Sequence, residues 1–165
     1  MKIKDDYKIP DNTRIGHIHL KVADIQRSLD FYCKLLGFEL ITTYGSDAAF
    51  ISAGGYHHHI GLNVWYSKNG SKPPKNSVGL FHLAILYPTR KDLAVIFNRL
   101  RKAGYPISGA SDHGVSEAIY LNDPDENGLE LYWDKPKDMW PKDEEGNLTM
   151  YTVPLNMGRL LSELA

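Results

Sequence analysis

The chain has 165 residues, enough for one ordinary domain or for two small halves sharing a core. Nineteen basic and twenty acidic side chains leave a net charge of −1, which offers no electrostatic case for nucleic acid or an anionic membrane surface. One cysteine, Cys33, excludes an intramolecular disulfide and a cysteine-cluster metal site. No apolar run approaches the roughly 20 residues of a membrane span, and the opening MKIKDDYKIP lacks the apolar core of a signal peptide. The expectation is a small cytoplasmic globular protein with no nucleic-acid and no membrane partner.

In chain order, residues 1–13 read as an extension. Residues 15–22 (IGHIHLKV) are an apolar strand, and Asp24 stands where a helix N-cap belongs. Leu29, Tyr32, Leu35 and Leu36 then repeat at helical spacing up to a stop at Gly37. Strands follow at 39–44, 48–53 and 57–65, separated by Gly45-Ser46-Asp47 and Gly54-Gly55. Polar residues 66–78 form a linker. The same order then returns: a strand at 80–87 broken by Pro88, a helix marked by Leu93, Ile96, Phe97 and Leu100 and ended by Gly104, and strands at 106–110, 117–121 and 128–133. His17 and His82 hold matching places in the two halves. This is an internal duplication, with modules at about 14–66 and 79–134 inside one domain at 14–134. The fold class is α+β, two tandem βαβββ modules. A charged, Pro-bearing tail at 135–165 ends in apolar helical spacing at Leu155, Leu160, Leu161 and Leu164.

Residues two apart in a strand share a face, so His17 and His19 point together, as do His57 and His59, while His58 takes the opposite side as surface or filler. His82 and Glu130 each interrupt apolar strands. A carboxylate between Leu129 and Leu131 is expensive to bury without a partner, and a divalent cation beside neutral imidazoles supplies one. Two histidines and one carboxylate with open positions suit non-haem Fe(2+), and Mn(2+) or Zn(2+) also accept that set. The candidate ligands are therefore His17, His82 and Glu130. Cys33, in helical Phe31-Tyr-Cys-Lys, reads as packing.

The residues carrying these features resemble the vicinal oxygen chelate superfamily, which includes glyoxalase I, bleomycin and fosfomycin resistance proteins and extradiol dioxygenases. The matching stretches are Gly16-His-Ile-His-Leu-Lys-Val-Ala-Asp24, Ser28-Leu-Asp-Phe-Tyr32, Leu36-Gly-Phe38 and Asp123-Pro-Asp-Glu-Asn-Gly-Leu-Glu130. Ala53–Asn63 and Ser111–Tyr120 are most similar to bacterial catechol 2,3-dioxygenase-like proteins. The resemblance implies an extradiol-type dioxygenase of aromatic-compound degradation, taking a catechol-like vicinal diol and O2, with Fe(2+) as first choice of metal and Mn(2+), Zn(2+) or Ni(2+) as alternatives. It implies His17, His82 and Glu130 as ligands, His59 as acid–base residue, and His113 and Tyr120 as substrate-binding residues. A homodimer is expected on the same ground. The chain has one such domain where ring-cleaving enzymes of this type commonly have two, and the His113–Tyr120 interval is about two residues short. The expected fourth strand has no carboxylate, which counts against a glyoxalase-like isomerase or lyase. That activity and a non-catalytic resistance-type binding protein are the alternatives.

Overall fold

The computed structural model describes residues 7–165; residues 1–6 of the expected extension lie outside the described residues. Strand β1 (Ile18–Lys21) leads into α1 (Ile25–Leu29), which Asp24 caps by accepting the Arg27 N–H at 2.7 Å. The helix continues as a π-helical stretch, Asp30–Leu35, and stops at Gly37, whose φ of +94° suits a residue without a side chain. Strands β2 (Glu39–Tyr44), β3 (Ala48–Ser52) and β4 (Ile60–Asn63) complete the first sheet, in the order β1-β4-β3-β2.

The second half contains β5 (Leu83–Leu86), α2 (Arg90–Lys102), β6 (Gly109–Asp112), β7 (Ser116–Asn122) and β8 (Gly128–Asp134). A reciprocal capping box between Thr89 and Asp92 starts α2. The sheet order is β5-β8-β7-β6, the same as in the first half, with the first strand parallel to the fourth in both. The duplication read from the sequence is therefore repeated in the strand pairing. The tail adds β9 (Val153–Pro154) beyond β6, then α3 (Met157–Leu161) and a 3₁₀ turn, Ser162–Leu164. The sequence pattern contained no signal for β9. No helix among the described residues is long and apolar enough to cross a membrane.

The strands expected at 15–22, 57–65 and 80–87 are shorter: β1 and β5 each pair on one side only, over four residues, and β4 is paired by β1 and β3 over the same four. His17 and His82 therefore lie just ahead of the paired strands, and His57, His58 and His59 in the segment leading into β4. The strand expected at 106–110 is displaced to Gly109–Asp112, where β7 and β9 pair with it.

One apolar cluster spans both modules, from Leu20, Phe31 and Ile51 to Leu93, Leu100, Ile119 and Leu131. The modules are also joined by polar bonds from the Asp-Pro-Asp turn. Tyr32 donates its hydroxyl to Asp123 Oδ2 at 2.9 Å, and Asp125 Oδ1 accepts from the Ala23 N–H and the Arg27 guanidinium. Arg99 donates to the carbonyls of Leu35 and Lys34. Two of the motifs quoted from the sequence are thus the two sides of one joint.

Candidate functional site

Glu130 lies in β8, directly across from Tyr120 of β7 and beside Ala84 of β5. His82 reaches it from the end of the segment entering β5, with Nε2 3.0 Å from Glu130 Oε2. The close approach depends on Gly128, where a Cβ would stand 2.2 Å from the Phe81 carbonyl oxygen. The Glu130 side chain keeps 15% of its exposure and that of His82 31%, so the pair is shielded without being sealed.

Register explains the next contact. Tyr120 and Glu130 are opposite one another, and the Tyr120 hydroxyl donates to Glu130 Oε1 at 2.9 Å. Burial first, and Glu130 second, push the Tyr120 hydroxyl well above the ordinary range of a phenol. His113, on the turn between β6 and β7, brings Nε2 to 2.6 Å from the same hydroxyl. Its Nδ1 faces Thr152 Oγ1 at 3.1 Å and the Tyr151 carbonyl at 3.3 Å. A continuous polar row therefore runs from Thr152 through His113, Tyr120 and Glu130 to His82.

The other histidines gather on the first module. The His17 ring packs on His58 with centroids 4.5 Å apart, and His58 in turn meets Phe50 at 5.1 Å. His57 Nδ1 and His58 Nδ1 are 2.8 Å apart. Partial burial, then the like charges of neighbouring histidines, lower the His58 pKa, and the same two causes lower that of His19. His19 lies against Trp65, and its ring would touch a Cβ at Gly61. His59 turns away toward Ser52 Oγ, 2.9 Å from its Nδ1, and stacks on Tyr56. The half-buried Cys33 is held above its ordinary pKa by burial, in keeping with a packing role.

The structure thus brings together His82, Glu130, Tyr120 and His113. It does not bring His17 or His59 to them; among the described residues no three His, Cys, Asp or Glu side chains converge as a metal ion requires. His82 and Glu130 fit part of a site: two ligands held at right angles about 2.1 Å from one ion stand about 3 Å apart, and an imidazole with a carboxylate suits a first-row divalent metal. His58 reads from the sequence as surface or filler, yet it is the histidine that packs on His17, from an irregular segment that joins the sheet at His59. Thr152 carries no signal in the sequence and reaches His113 through the nonlocal β6–β9 pairing.

Residues 14–131 match the family described as Glyoxalase/Bleomycin resistance protein/Dioxygenase superfamily. The chain is 39% identical over 156 residues to a catechol-2,3-dioxygenase of Bacillus subtilis (strain 168), covering 94% of this chain and 53% of that protein. It is 30% identical over 124 residues to biphenyl-2,3-diol 1,2-dioxygenase 3 of Rhodococcus globerulus, covering 73% of this chain and 63% of that one. A lactoylglutathione lyase of Escherichia coli O157:H7 is 28% identical over 132 residues, with 74% and 93% covered. The chain spans about half to two thirds of the length of the two dioxygenases. Among solved structures, a glyoxalase/dioxygenase from Nostoc punctiforme superposes with a TM-score of 0.65 at 19% identity, over 81% of this chain and all of that one, a likeness of fold.

Proposed function

Since the chain belongs to the Glyoxalase/Bleomycin resistance protein/Dioxygenase superfamily, we propose that it is a metal-dependent extradiol-type dioxygenase that opens a catechol-like vicinal diol with O2. The observation that carries this reading is the row His113–Tyr120–Glu130–His82, in which two proton-bearing groups stand directly behind a pair of metal-type ligands. In this reading His82 and Glu130 would hold the metal, with His17 as the third ligand. The metal, Fe(2+) here with Mn(2+), Zn(2+) or Ni(2+) as alternatives, supplies Lewis acidity that lowers the pKa of a coordinated hydroxyl and, for iron, a path for electrons between diol and O2.

The protein's own groups do the rest. Tyr120 orients the diol oxygens, and His113 holds the Tyr120 hydroxyl from behind. A histidine accepts the second diol proton and later returns it. We assign that task to His58, which lies on His17 and which, with its Nδ1–H donating to His57 Nδ1, keeps Nε2 as its basic position, rather than to His59. The Ala53 N–H donates to His59 Nδ1 at 3.3 Å, and Ser52 occupies the same nitrogen, so the basic position of a neutral His59 ring is already taken. We also propose a homodimer, supported by the exposed Leu40, Ile41 and Tyr44 along β2.

The test is metal analysis of anaerobically purified protein, with oxygen uptake screened over catechols. Parent protein should hold one metal per chain and consume O2. His82→Ala, Glu130→Gln and His17→Ala should lose metal in a folded sample. His58→Ala should keep it and turn over about 10²–10⁴-fold more slowly, the usual contribution of an acid–base group. The same loss in His59→Ala, with His58→Ala unaffected, would return the role to His59. Full turnover of an enediolate-forming substrate without O2 would replace the dioxygenase reading with the glyoxalase-like one.

A further inference from the structure

The polar row does not end at His113; it continues into a carboxy-terminal strap that lies beyond the residues matched to the family, 14–131. After β8 the chain turns back over the β6–β7 turn. The Lys135 N–H donates to the Val115 carbonyl at 2.8 Å, and the Trp140 indole donates to the Lys135 carbonyl at 2.7 Å. Further on, the Tyr151 N–H donates to the His113 carbonyl at 3.3 Å, and β9 pairs with β6, with Val153 opposite Asp112. Gly114, at φ +80°, is buried under this strap; a Cβ there would stand 2.8 Å from both Pro141 Cγ and Tyr151 Cε1. The strap is therefore seated on the turn that carries His113, and it holds both the backbone and the side chain of that residue.

Counting protons decides what the strap does to the ring. Tyr120 has one hydroxyl proton, and a Glu130 carboxylate can only accept, so that proton goes to Glu130. The 2.6 Å contact between His113 and Tyr120 must then be His113 Nε2–H donating to the phenolic oxygen. A neutral imidazole has one ring proton, which leaves Nδ1 bare and in need of a donor. The Tyr151 carbonyl cannot donate. The Thr152 hydroxyl, 3.1 Å away, can.

We propose that Thr152 is a positioning residue of the site: its hydroxyl donates to His113 Nδ1 and so holds the ring as the Nε2–H tautomer that feeds Tyr120 and Glu130. This rests on the reading of Glu130 as an ionised metal ligand. Removing the hydroxyl leaves the Tyr151 carbonyl as the neighbour of Nδ1, which favours the opposite tautomer, Nδ1–H with Nε2 bare. Tyr120 would then be asked to donate in two directions with one proton.

The test uses the full chain after chelation, labelled with 15N at histidine, at neutral pH. His113 is identified by the signal missing from His113→Ala, and backbone amide spectra confirm that each variant is folded. Parent and Thr152→Ser should show a bare Nδ1 and a protonated Nε2, and Thr152→Val should show the two exchanged. A protonated Nδ1 in the parent, or an unaltered tautomer in a folded Thr152→Val, would overturn the proposal. In metal-loaded protein, Thr152→Val should lower kcat about 10–100-fold, as loss of an outer-shell partner typically does, with Thr152→Ser restoring it. A parent that shows the expected tautomers yet consumes no O2 with any catechol would sink the dioxygenase reading and leave Thr152 in its role, because the tautomer is read without turnover.

Discussion

A methyl group on Gly128 would meet the Phe81 carbonyl oxygen at 2.2 Å, so His82 can hold its place beside Glu130 only while this position lacks a side chain. Gly128→Ala should push the Phe81–His82 backbone off β8. The expected outcome is metal lost on dialysis by a protein that still folds; retention equal to the parent would show that the segment yields without moving His82. Tyr32 bears on stability instead. Its hydroxyl bonds to Asp123, buried to 2% exposure, which also accepts the N–H groups of Asp125 and Asn127 and the Asn127 amide. Tyr32→Phe removes one bond of four and should cost about 1–3 kcal/mol in urea unfolding. A loss within error would mean that the joint between modules is carried by packing and by the bonds of Asp125 and Arg99.

Arg90 begins α2 and fastens three parts of the chain. It donates to Glu117 of β7 and Glu163 of the tail, each at 2.7 Å, and to the Arg159 carbonyl. Because Glu117 is 7% exposed, Arg90→Met would strand a buried carboxylate, at a cost of about 3 kcal/mol. Hydrogen exchange should rise most across β9 and α3, and uniform protection would show that the strap is held by its apolar contacts. A second tie joins β6 to the chain after β8. Burial works to raise the Asp112 pKa, but the bonds from Lys135 and from the Gly114 N–H outweigh it and hold the carboxyl below its ordinary 3.8. A folded-state pKa below the unfolded one means that this stabilisation is complete above pH 3.8 and is lost as pH falls through the folded value. Asp112→Asn should therefore be less stable than the parent near pH 6, with the gap narrowing below pH 4. Asp123 has the opposite slope, since burial raises its pKa, and for that reason the comparison is parent against variant. A constant gap down to pH 2 would assign the loss to packing.

At the scale of the molecule, the two modules are joined along the helices and the Asp-Pro-Asp turn, while the candidate ligands His17 and His82 lie at the entries to the two sheets. A metal bound to the native state alone stabilises it by mass action, about 2.7 kcal/mol at a free concentration 100 times Kd. Loading should raise the melting temperature of the parent, and the rise should vanish in Glu130→Gln. An equal rise in both would place the metal elsewhere, the first-module histidines being the next candidates. The proposed homodimer is checked by sedimentation. Tyr44→Glu, at an exposed position of β2, should yield monomer if that strand is the contact.

Features that depend on near neighbours can be read directly from the order of residues. The Asp24 cap, the stops at Gly37 and Gly104, the helix through Leu93 and Leu100 and the order of the duplicated strands were legible because a few adjacent residues decide a cap, a stop or a period. Pairing of His82 with Glu130 is one step further: both stand in apolar stretches of the sequence, but only the parallel β5–β8 register and the gap at Gly128 make them neighbours. Tertiary structure alone decided the rest. His58 rather than His59 faces His17 because His59 is held by backbone bonds to Ile51 and Ile18 with its ring turned to Ser52, which leaves His58, in the irregular segment before it, against the His17 ring. Thr152 meets His113 because a two-residue strand returns to β6 from far along the chain. Such contacts are set by where long loops close, and no local pattern of side chains encodes that.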